Sequence, residues 1–160
     1  MKINELLLKT AFACMSCDGD IADEEVELLK EMAKDNLFGE IDINSEFARL
    51  VQEINQKGKR FLQQYISELA DTELTEDEEI KIADVAVKTI RADNIIQYSE
   101  IKFFKVIREH LTHVSDKTLL VEVENIDEQY LAKDIRASYL QIFEDYFSGE
   151  ELPKFEVKIS

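Results

Sequence analysis

Apolar side chains recur at three- and four-residue intervals along almost the whole chain, and very little interrupts them. Four glycines and one proline are spread over 160 residues. A turn-rich β protein needs far more of both, whereas a helix needs them only at its ends. The expectation is therefore an all-α fold, a helical bundle of about seven helices. With 45% hydrophobic residues the chain can bury one core, and residues 1–160 fit a single domain.

The spacing predicts a first helix over 3–17, with Ile3, Leu7, Ala11 and Cys14 on one face and Leu6, Phe12 and Met15 widening it. Asp18–Gly19 stops it. A second helix over 22–35 carries Val26, Leu29 and Ala33 on one face, with Leu28 and Met32 beside them. Its first turn holds Asp23, Glu24 and Glu25, where negative charge favours the helix dipole. Asn36 to Asn44, with Gly39, reads as a loop. A third helix starts at about Ser45 and shows Phe47, Leu50, Val51 and Ile54. The pattern continues past Gly58 as Phe61, Leu62, Tyr65, Ile66 and Leu69, and spacing leaves open whether Gly58 breaks or kinks it.

Asp71 to Glu79 is a nearly solid acidic run, with Asp77 and Glu79 expected on an exposed surface. Inside it, Thr75 and Glu78 have the spacing of a capping box, in which each side chain satisfies the other's orphan amide. The helix it opens runs to about Ala92 with Ile80, Ala83, Val87 and Ile90 inward. Asp93–Asn94 ends that helix, and Tyr98 to Leu111 forms another. Thr118 to Val123 reads either as a strand or as a short helix capped by Ser115. Leu131, Ile135, Leu140, Phe143 and Phe147 predict a last long helix over about 127–147, and Pro153, Phe155, Val157 and Ile159 an extended tail.

Charge narrows the partners. Thirty-five acidic residues against 19 basic leave a net −16. Binding to a nucleic-acid backbone depends on lysines and arginines that displace counterions, so no nucleic-acid partner is expected. Anionic lipid surfaces should repel the chain as well. No stretch approaches the ~20 apolar residues of a membrane helix, so no integral membrane segment is expected. Leu6–Leu8 and Ala11–Cys14 resemble a short leader, but Glu5 and Lys9 interrupt it, and the expected compartment is the cytoplasm.

The chain also repeats itself. A shift of 75 residues brings Ala11 onto Ala86, Asp18 onto Asp93, Ile21 onto Ile96, Glu25 onto Glu100 and Lys30 onto Lys105. Met15 then meets Ile90, Val26 meets Ile101, and Leu29 meets Phe104. The matches gather at an Asp-(Gly/Asn)-x-Ile-x-x-x-Glu turn and on the buried face. Two pseudo-symmetric helix–turn–helix hairpins are the expectation.

Ala13–Cys14–Met15–Ser16–Cys17–Asp18–Gly19–Asp20–Ile21, closing on Glu25, resembles the first signature of the TerB-like tellurite-resistance family. Ala92–Asp93–Asn94–Ile95–Ile96, closing on Glu100, stands where that family has a second, weaker one. The resemblance covers about residues 1–112 and leaves 113–160 as a C-terminal extension. It departs from the family just after each turn, where an Asp or Pro is replaced by Ala22 and Asp23, and by Gln97 and Tyr98. The resemblance implies an all-helical, non-enzymatic domain with paired hairpins and acidic residues proposed to bind a divalent metal.

Asp18–Gly19 and Glu25 also match the second half of a calcium loop, in which glycine makes the bend and a closing glutamate binds bidentately. The first half is absent: Cys14 and Ser16 stand where aspartates are needed, and Thr89 and Arg91 do so in the second copy. A standard calcium loop is therefore not expected. A reduced site is: Asp18, Asp20 and Glu25 from one turn with Asp93 and Glu100 from the other, sharing one calcium or magnesium. The alternative is that Asp18 and Glu25 merely cap their own helices and the acidic turns are solvated surface.

Cys14 and Cys17 form C-x-x-C without the strand–turn–helix setting of a redox centre. His110 and His113 would complete a zinc set only from the far end of their helix, roughly 20 Å away at 1.5 Å per residue. Free thiols are expected, with Cys14 the slower to alkylate. No phosphate loop, nucleophile elbow or zincin pattern occurs in the sequence. The first expectation for function is a non-enzymatic stress-response domain that binds metal and acts through protein partners. The second is a ligand-free helical interaction module, and the third a hydrolase or redox enzyme.

Overall fold

The computed structural model describes residues 3–17, 21, 23–92, 98–124, 126 and 128–131. The protein is all-α, and among the described residues there is no strand. The helices are α1 (Ile3–Ser16), α2 (Asp23–Lys34), α3 (Ile43–Lys57), α4 (Lys59–Asp71), α5 (Glu76–Ile90), α6 (Tyr98–Glu109), α7 (Asp116–Glu122) and the short α8 (Glu128–Leu131).

Helix α1 is the centre of the bundle. Every residue from Leu6 to Ser16 except Lys9 is buried, so its apolar surface runs right round the helix. Such a helix needs neighbours on all sides, and α4, α5 and α6 all pack against it, α5 most extensively. Ala11, Ala13 and Cys14 on α1, with Ala83 and Ala86 on α5, keep the facing side chains small, which lets helix axes approach. Larger residues fill the flanks. Phe12 meets Phe47 of α3 and Phe61 of α4 edge-on, with centroids 5.7 and 5.5 Å away, an arrangement aromatic quadrupoles favour. Lys9, the exception on α1, reaches Glu68 of α4 at 3.0 Å.

One local signal acts as the sequence predicts, and two that spacing left open are decided. The Thr75–Glu78 capping box forms in both directions, at 3.2 and 2.9 Å. Residues 118–122 are helical, with Val123 as the C-cap: Ser115 caps the start of α7 by accepting the Thr118 amide at 3.1 Å, and this local bond prevails over β-branched propensity. Gly58 breaks the long third pattern into α3 and α4, with a φ of +59° that glycine adopts without strain. One boundary and one buried position differ from expectation. Helix α3 begins at Ile43 rather than Ser45, because Asp42 is the N-cap and accepts the Asn44 amide at 3.2 Å and the Ser45 hydroxyl at 2.8 Å. On α5, Ile82 is buried and Ile80 only partly so.

Helix α1 touches α6, and α5 touches α2. The two turns themselves, at 18–20 with 22 and at 93–97, lie outside the described residues, as do the predicted end of the 127–147 helix and the tail. No helix among the described residues is long and apolar enough to cross a membrane.

A candidate acidic site around Cys14

The helical period that makes the core also carries three glutamates into it. Glu25 continues the inward row of Leu29 and Met32 on α2. Glu100 precedes Phe103, Phe104 and Ile107 on α6 in the same way, and Glu79 precedes Ile82, Ala83 and Ala86 on α5. Their exposures are 5%, 4% and 1%. Each sits in the first turn of its helix or next to it, where the amide dipoles favour a negative charge. Ionised carboxylates are rarely this buried unless paired or hydrogen-bonded.

Glu25 and Glu100 both act on one atom. Cys14, at the end of α1, is fully enclosed. Burial pushes its thiol well above the ordinary range, and the charges of Glu100 and then Glu25 push it further. Both charges thus bear on this one sulfur. Of the five carboxylates in the predicted set, Glu25 and Glu100 are buried at the starts of α2 and α6; Asp18, Asp20 and Asp93 lie outside the described residues. Among the described residues no group of three or more His, Cys, Asp or Glu side chains is arranged to hold a metal ion.

The missing front half of the calcium loop is part of α1. Ser16 donates to the Phe12 carbonyl at 2.9 Å, and the Cys17 thiol donates to the Cys14 carbonyl at 3.3 Å. These bonds tie both side chains to the end of the helix. Both cysteines are free and both are buried. Below Cys14 the polar interior continues: the Tyr65 hydroxyl lies 2.6 Å from the Thr10 hydroxyl, which bonds the Leu6 carbonyl at 2.7 Å. Burial, then the nearby Cys14, raises the Tyr65 phenol, against the Thr10 bond. Tyr65 and Cys14 are therefore both neutral at physiological pH.

Glu79 belongs to a different site, and it corrects the expectation that it lies on an exposed acidic surface. Its Oε1 accepts the amides of His113 and Val114 at 2.8 and 2.9 Å, and its Oε2 lies 2.8 Å from His113 Nδ1. One carboxylate thereby holds the α6–α7 loop against the start of α5. The acidic run conceals this role. The signal that reveals it is the helical register with Ile82, Ala83 and Ala86. With His113 committed to Glu79, the C-x-x-C pair and the histidines serve separate places in the fold. Comparison with protein-family models, curated proteins and solved structures finds no match.

Proposed function

We propose that this chain is a non-enzymatic, all-helical domain of the TerB-like kind, a cytoplasmic stress-response protein of the tellurite-resistance type. In this reading it binds one divalent cation, calcium or magnesium, where its acidic turns meet, and passes that state to a protein partner. The observation that carries the reading is that Glu25 and Glu100, at equivalent positions of the two repeats, are both buried and both act on the Cys14 thiol. Asp18, Asp20 and Asp93 add three more carboxylates in the two turns of the sequence. A hard cation takes six or more oxygens and would use those ligands.

The test is thermal melting with calcium or magnesium against sodium chloride of equal ionic strength, which removes general screening. A ligand specific to the folded state stabilises by about 2.7 kcal/mol at a hundredfold excess over Kd. The excess over sodium is expected in the native protein and absent from Glu25→Gln/Glu100→Gln. Glu76→Gln/Asp77→Asn, with the same change of charge at exposed positions, should keep it.

A second reading, the ligand-free interaction module, is favoured by Glu79, which shows that this chain can satisfy a buried carboxylate with backbone amides alone on one oxygen. If native and variant proteins respond to divalent metal only as they do to sodium, this second reading stands.

A further inference from the structure

We draw no further inference here: the strongest candidate, the cleft of about 610 Å³ between the start of α1, the α2–α3 loop and α3, is lined by cations already paired within the fold, Arg49 with Glu46 and Lys9 with Glu68, over the buried Leu8 and Phe38, and nothing in the structure shows what covers it.

Discussion

At the start of α5 a buried carboxylate is shared between an imidazole and two amides; at the starts of α2 and α6, two buried carboxylates act on a buried thiol. Glu79 and Glu100 are similarly enclosed, at 1% and 4% exposure, and each opens its own helix. Donors surround Glu79, so its charge is compensated on the spot. At Cys14, burial and then the charges of Glu100 and Glu25 act in the same direction, and the thiol holds its proton. Burial alone therefore does not define a carboxylate's task; the polarity of what faces it does.

The sharpest way to break this comparison is at Glu79. Glu79→Ala leaves the His113 and Val114 amides without their acceptor, at about 1–3 kcal/mol for each unsatisfied group. Urea denaturation should show a loss of about 3 kcal/mol or more, a large share of the ~5–15 kcal/mol of an ordinary domain. Glu79→Gln keeps one carbonyl oxygen and should lose about 1–2 kcal/mol. A loss under about 1 kcal/mol for the alanine variant would mean that the loop is held by other contacts.

The other site is read through its sulfur. Because burial, and then the charges of Glu100 and Glu25, disfavour the Cys14 thiolate, alkylation by iodoacetamide at pH 8.5 should be slow (about the ordinary thiol pKa). Glu100→Gln should accelerate it severalfold and Glu25→Gln somewhat less, following the order of their influence. Glu79→Gln should leave it unchanged. Peptide mass mapping separates Cys14 from Cys17, and identical rates in all four proteins would show that only burial governs the thiol.

The smallest effect is one of pH, beside the Glu79 loop. Burial holds the His110 imidazole below its ordinary range, with Glu109 partly opposing. The unfolded chain therefore takes up a proton near pH ~6.5 that the folded chain resists. This contribution to stability is complete above that pH and is lost as pH falls through the folded-state value. Denaturation midpoints between pH 7 and 5 should fall less steeply in His110→Gln than in the native protein. Parallel profiles would contradict the assignment.

The helices were legible because their apolar rows repeat at 3.6 residues, and the capping box was legible because it is a four-residue signal. Gly58 and the 118–123 stretch were ambiguous, since one rests on a backbone angle and the other on a cap outweighing propensity. Glu25 and Glu100 were visible through the repeat, which placed them at equivalent positions. Glu79 was not, because it lies among acids that face water and only its register distinguishes it. Its partners are 34 and 35 residues away, beyond any local pattern.

The central position of α1 also sets a condition on synthesis. Its leucine-rich surface leaves the ribosome before the helices that cover it: α4 begins at Lys59 and α5 at Glu76. At about 5–20 residues per second, some three to twelve seconds separate the end of α1 from the start of α5. During that interval a helix with an apolar surface all round is a nascent segment without its main partner. It is made before α4 and α5 and enclosed only after them, so the yield of folded protein depends on what shields it while it waits.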